Sequence, residues 1–187
     1  MISTAIFDLE TSALEADRGV ILCACIKSSK RRGIITIRTD KTSPTWHAGK
    51  RGNDKETTRQ IAEILADHDV LVAHNGSRFD MPFLRSRMLR WNMKRLPDIK
   101  MVDPCSIAYR RFRLRSNSLA AVADHIGVTE RKTPLDMSIW ADAFLNGSRR
   151  AMNLIVEHCV ADIKVLEGVL EVVKPYVKIL DDRGSAL

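Results

Sequence analysis

Three short acidic motifs hold the residues of this chain that could do chemistry. In Ile6-Phe7-Asp8-Leu9-Glu10-Thr11, two carboxylates stand two residues apart at the end of an apolar run. If that run is a strand, its period of two puts Asp8 and Glu10 on one side. Adjacent carboxylates repel unless a cation lies between them, and hard oxygen donors of this kind suit Mg²⁺ or Mn²⁺. The second motif, Leu71-Val-Ala-His-Asn75-Gly76-Ser-Arg-Phe79-Asp80-Met-Pro82-Phe83-Leu84, runs from a short buried strand through an Asn-Gly turn to an acid at the head of an amphipathic helix. An acid there is favoured by the helix macrodipole, and the same place presents it near the ends of neighbouring strands. In the third, His158-Cys-Val-Ala-Asp162, the i,i+4 spacing projects an imidazole and a carboxylate from one helix face. Taken singly, each has an ordinary explanation: a solvated strand-end acid, a helix-start acid, a satisfied surface pair.

Taken in order, Asp8/Glu10, then Asn75 and Asp80, then His158/Asp162, the motifs resemble the three exonuclease motifs of the DEDD (DnaQ-like) superfamily, which includes proofreading exonuclease domains. The segments FDLETS (7–12) and HNGSRFDMPFL (74–84) carry the resemblance most specifically, and it extends from Ile6 to about Leu170. It implies an α/β, RNase H-like fold with a mixed five-stranded sheet flanked by helices. It also implies a two-metal-ion 3′–5′ exonuclease that releases nucleoside monophosphates from nucleic acid with a free 3′ end, with single-stranded DNA favoured. By the same resemblance Asp8 bridges two divalent cations, Mg²⁺ or Mn²⁺. Glu10 and Asp162 complete the first site, Asp80 supports the second through water, and His158 activates water as general base. The Leu9 backbone and Thr11 match the positions that hold the terminal 3′ nucleotide. Asn75 and Phe79 would steer the strand, although turn formation and core packing explain them equally well.

One spacing departs from the superfamily pattern. In its histidine subclass the histidine stands five residues before the last aspartate, and in its tyrosine subclass the tyrosine stands four before. Here a histidine occupies the tyrosine spacing. Four residues of α-helix advance about 400° and five about 500°, so the two spacings aim the side chain roughly 100° apart. Either the helix or the reach of the imidazole must differ if His158 is to act as the base.

These side chains need elements to hold them. Residues 2–8, 19–26 and 33–38 read as three strands, the last two joined by a turn over 27–32, which predicts an antiparallel meander. Residues 40–54, rich in Thr, Ser, Gly, Lys and Pro, read as a loop. Residues 55–68 read as a helix and 69–73 as a short buried strand. Further helices are expected over 80–89, over 118–126 with Ser116 or Ser118 as cap, over 136–145 up to Asn146-Gly147, and over 151–173 up to Pro175. Strands followed by helices, in an alternating first half, predict an α/β layer fold.

Length and composition set the outer bounds. The 187 residues, 45% hydrophobic and 28% charged, suit one globular domain, expected over 1–180 with 181–187 as a frayed tail. No apolar run reaches membrane-spanning length and the start carries no secretory signal, so a cytoplasmic protein with no membrane partner is expected. Cys23, Cys25, Cys105 and Cys159 lack zinc-type spacing and read as buried free thiols. His47, His68, His74 and His125 have no catalytic role in this reading. A net charge of +7 favours polyanionic partners. It gathers in three clusters: Lys27, Lys30, Arg31 and Arg32; Arg78, Arg85, Arg87, Arg90, Lys94 and Arg95; and Arg110, Arg111, Arg113 and Arg115. Beside a phosphodiester-hydrolysing site they suggest backbone contact. A catalytically inactive nucleic-acid-binding module on the same fold, an RNA-directed exonuclease and an endonuclease are the competing readings.

Overall fold

The computed structural model describes residues 2–129 and 135–177. Strands β1 (Thr4–Thr11), β2 (Ile21–Ser28), β3 (Ile35–Arg38), β4 (Val70–Val72) and β5 (Lys100–Val102) form one five-stranded sheet in the order β3-β2-β1-β4-β5. The meander pairs β1 with β2 and β2 with β3 antiparallel, whereas β4 lies parallel to β1 and to β5. The sheet is therefore mixed, and helices flank it as in an RNase H-like fold.

Side-chain alternation along β1 divides the core into two layers. Ala5, Phe7 and Leu9 pack with helices α2 (Lys55–Ala66) and α3 (Asp80–Arg90) on one face. Ile6 points the other way, into the layer formed by α4 (Pro104–Arg111), α5 (Leu119–Ile126) and the long α7 (Arg149–Val173). Asp8 and Glu10 share the parity of Ile6, so both face α7. A bulge between Glu10 and Thr11 then skips Leu22 in the pairing with β2 and ends the regular ladder just past the acids.

Several boundaries differ from the sequence expectation. The first strand runs three residues past Asp8, to Thr11, and the second continues to Ser28, because ladder pairing outlasts the apolar run. The predicted loop over 40–54 opens with a short helix, α1 (Thr39–Thr42), whose Thr39 hydroxyl donates to the Ile21 carbonyl. Residues 97–117, given no element from sequence, hold β5 and α4. A three-residue edge strand shows no period, but the Asp103-Pro104 start of α4 is a readable cap: the Asp103 side chain accepts from the N–H groups of Cys105 and Ser106. The helix expected over 136–145 is α6 (Ser138–Ala141) followed by a π-helical turn (Asp142–Asn146) that Gly147 closes at φ 68°. Ser118 rather than Ser116 caps α5. The expected tail at 181–187 lies outside the described residues.

A buried ion pair holds the loop between β1 and β2 against α3. Arg87 and Asp54 meet at 2.7 Å. Asp54 also accepts from Trp91 Nε1 at 2.7 Å and from the Ile21 N–H at 2.9 Å, while Arg87 Nη1 donates to the Ala16 carbonyl at 2.9 Å. With its hydrogen-bonding groups engaged this widely, the pair can be buried at modest cost. It also takes Arg87 out of the second basic cluster as a surface cation.

Candidate active site

Strands β1, β4 and β5 run parallel, so their C-terminal ends share one rim, where ligands of α/β sheets characteristically bind. A cavity of about 650 Å³ opens there. Its lining includes all nine residues singled out from sequence: Asp8, Leu9, Glu10 and Thr11 from β1, Asn75, Phe79 and Asp80 from the turn and helix after β4, and His158 and Asp162 from α7. His74, Leu14, Met137 and Trp140 are also among its walls.

The turn after β4 is held by backbone demands. Asn75 adopts φ 62°, a left-handed conformation that asparagine tolerates. A Cβ on Gly76 would lie 2.4 Å from the Ala73 Cβ and 2.5 Å from the Met101 side chain, so only glycine fits there. Asp103, at the end of β5, accepts from the N–H groups of Asn75 (2.8 Å) and Ser77 (3.2 Å) and from the Ser77 hydroxyl. Burial opposes the charge on Asp103, but the bonds from Ser77, Asn75 and Ser106 outweigh it and hold this carboxyl below the usual range. His74 has a hydrogen bond of its own, from Nε2 to the Asn117 carbonyl at 2.8 Å, although it also lines the cavity.

Asp80 begins α3 and is buried, with Oδ1 accepting the Leu9 N–H at 3.0 Å. Burial, reinforced by the negative charge of Asp8, pushes the Asp80 carboxyl well above the ordinary range. That has a checkable sign. Below the pKa of a free aspartate, near 4, Asp80 is protonated in both folded and unfolded chains and costs nothing. As pH rises the unfolded chain ionises first, so stability falls until pH passes the raised folded value. In chelator-treated protein, Asp80→Asn, which can keep the Leu9 bond, should raise the melting temperature at pH 7 by a few degrees. The gain should shrink toward pH 4, and saturating Mn²⁺ should reverse it. Melting curves in EDTA from pH 4 to 8 check this, and equal melting temperatures at pH 7 would contradict it.

On α7, His158 Nε2 lies 3.8 Å from Asp162 Oδ2 and 4.0 Å from Glu10 Oε1. The helix is regular α through this stretch, so no helix distortion offsets the four-residue spacing. Trp140 Nε1 donates to Glu10 Oε2 at 2.8 Å, and the indole meets the His158 ring edge-on with centroids 5.7 Å apart. Beneath them the Cys159 thiol lies 3.5 Å from the Asp8 carbonyl. Burial and the neighbouring Cys23 push this thiol well above its usual range. All four cysteines are free; Cys23, Cys25 and Cys159 are buried, but Cys105 is part-exposed, unlike the sequence expectation.

These residues fit a divalent cation. Ligand atoms of Glu10, His158 and Asp162 lie within 4.8 Å of one another, as do those of Asp8, Glu10 and Cys159. Two carboxylates as close as Asp8 and Asp80 raise each other's energy as anions, and a shared cation relieves this. Hard oxygen donors predominate, which matches the ions expected from sequence.

The basic clusters fare differently. Lys27 pairs with Glu167, Lys30 with Asp67, and Arg95 with Asp98. Among the described residues no ion pair engages Arg78, Arg110, Arg111, Arg113 or Arg115, all of them exposed. Sequence reasoning missed Trp140 and Asp103. The Asp-Pro cap could have revealed Asp103; no local spacing marks Trp140.

A family model described as RNase_H superfamily matches residues 5–174. The chain is 30% identical over 97 residues to the DNA polymerase III PolC-type of Ureaplasma parvum serovar 3, which covers 49% of this chain and 7% of that polymerase. It is also similar in structure to the family B DNA polymerase from the hyperthermophilic archaeon Pyrobaculum calidifontis, with a TM-score of 0.74 and 17% identity over 94% of this chain and 25% of that one. At that identity the likeness speaks for the fold alone. The chain thus spans small fractions of both polymerases. Among the described residues no helix is long and apolar enough to cross a membrane.

Proposed function

From the premise that the chain belongs to the RNase H superfamily, which supports nuclease activity, we propose that it is a metal-dependent 3′–5′ exonuclease acting on DNA. The observation that carries this reading is the meeting of Asp8, Glu10, Asp80, Asp162 and His158 on one cavity. Its PolC-type relative, 30% identical over about half of this chain, is a DNA polymerase, which favours DNA over RNA and an association with replication.

Asp8 would be shared between two cations, Mg²⁺ or Mn²⁺, with Glu10 and Asp162 completing one site. Asp80, oriented by the Leu9 N–H, would support the other through water. Such a pair of cations supplies charge stabilisation to the attacking and leaving oxygens of an in-line displacement. His158 takes the proton of the attacking water. Thr11 Oγ1 already donates to the Ala13 carbonyl at 2.7 Å, so its lone pairs are the part left to meet the terminal 3′ hydroxyl, beside the Leu9 backbone. Asn75 and Phe79 flank the path of the strand. Leu14 and Met137, 73% and 75% exposed, give the mouth an apolar edge against which an unstacked base can lie.

End-labelled single- and double-stranded DNA and RNA, with and without a blocked 3′ end, test the reading in Mn²⁺. Mononucleotides released from a free 3′ hydroxyl, fastest from single-stranded DNA, are expected. Rapid cutting of circular single strands would replace the exonuclease with an endonuclease. Faster digestion of RNA would move the substrate class. Binding without any cleavage would mark an inactive module.

A further inference from the structure

Trp140 belongs to none of the three acidic motifs, yet it touches two of them. Its indole donates to Glu10 Oε2 at 2.8 Å, while Glu10 Oε1 is the oxygen 4.0 Å from His158 Nε2. Its ring stands perpendicular to the His158 ring at 5.7 Å. We infer that Trp140 is a positioning residue: it selects which oxygen of Glu10 is offered to the metal and fixes the plane of the His158 imidazole. The inference rests on the metal-site reading above.

The physical case begins with the carboxylate. The terminal torsion of a glutamate is broad and two-fold, so an untethered Glu10 would present either oxygen over a range of angles. An indole N–H is a donor only, so Trp140 can hold an oxygen but cannot itself bind a cation. A hydrogen bond to an ionised acceptor is among the stronger kinds, and it leaves Oε1 on the side of His158, 4.0 Å from its Nε2, in a group with Asp162 whose ligand atoms lie within 4.8 Å of one another. Partners of this type behind metal ligands typically contribute 10–100-fold in metal affinity. The backbone around Trp140 is built to match. Trp140 is half-buried on α6, and the π-helical turn that follows is a rare geometry that is frequent at functional sites. Arg51 anchors that turn, donating to the Leu145 carbonyl at 2.8 Å.

Trp140→Phe keeps the ring against His158 and removes only the N–H. Calorimetry should show Mn²⁺ affinity lower by about tenfold, and cleavage should recover when Mn²⁺ is raised to saturation. Trp140→Ala removes the ring as well, so a rate defect should persist at saturating Mn²⁺. Circular dichroism melts establish that each variant is folded. A parent protein that binds no Mn²⁺ would overturn the metal site and this inference together. A parent that binds, with the phenylalanine form binding equally or more tightly, would overturn the role of Trp140 alone. If the phenylalanine form does not fold, the indole N–H resonance of the parent decides. Retained downfield and slow to exchange at saturating Mg²⁺, it supports the assignment; moved to the position of a solvent-exposed indole, it overturns it.

Discussion

Replacing Asp8 or Asp162 with asparagine is expected to reduce cleavage by at least about a thousandfold, because charge stabilisation at the reacting centre is usually the largest single contribution to such catalysis. Calorimetry should show weakened Mn²⁺ binding in both variants. The fold should survive, since each substitution removes a negative charge from a crowded cluster and lowers its repulsion. The two variants are not equivalent. Asp162 also lies 3.8 Å from His158, so its loss disturbs the base as well as the metal. Asp8 lies in register with Cys25 on the central strand, beside Asp80, whose Oδ1 accepts the adjacent Leu9 N–H. Asp8→Asn should therefore be the cleaner test of ligation, and its metal-free form should melt no lower than the parent. Near-parental cleavage by either variant would end the ligand assignment.

The second large effect belongs to His158. If it is the general base, the rate should rise with pH as the imidazole loses its proton, then level off. His158→Ala should cost at least about a hundredfold, within the usual contribution of a positioned base. Mn²⁺ affinity distinguishes two roles here, because Nε2 stands close enough to Glu10 and Asp162 to join them around a cation. A base leaves affinity nearly unchanged; a ligand does not. The four-residue spacing supplies a third alternative, in which this position acts like a tyrosine and merely orients the water. In that case His158→Tyr should keep much of the activity, with the acidic limb intact. For a histidine base that limb must vanish in both variants. The pH–rate curves of parent, alanine and tyrosine forms at saturating Mn²⁺ separate these outcomes, and a persistent limb would exclude His158 as base.

The legible part of the fold was the part encoded by local period. The meander, β4 and the helices beginning at Asp80 and near Ala151 follow from alternation, apolar spacing and caps, each a property of one short segment. Strand β5 was illegible for the converse reason. It has three residues, and what makes it a strand is the parallel partner β4. The π-helical turn was hidden likewise: it packs against α7, and no periodic signal over residues 142–146 marks its extra residue.

The same division runs through the candidate site. Sequence alone determined its acids and their local presentation, because a period of two places Asp8 with Glu10 and a period of 3.6 places His158 with Asp162. Tertiary structure decided that these pairs meet. That depends on β4 lying parallel beside β1, which brings Asp80 to the Leu9 N–H across 71 residues of chain. It also decided which oxygen of Glu10 is held, through an indole 130 residues away, and what steadies the Asn75 turn, through a carboxylate 28 residues on. A hydrogen bond over such separations leaves no periodic trace in a sequence, because its geometry exists only after the sheet has closed and both faces have packed.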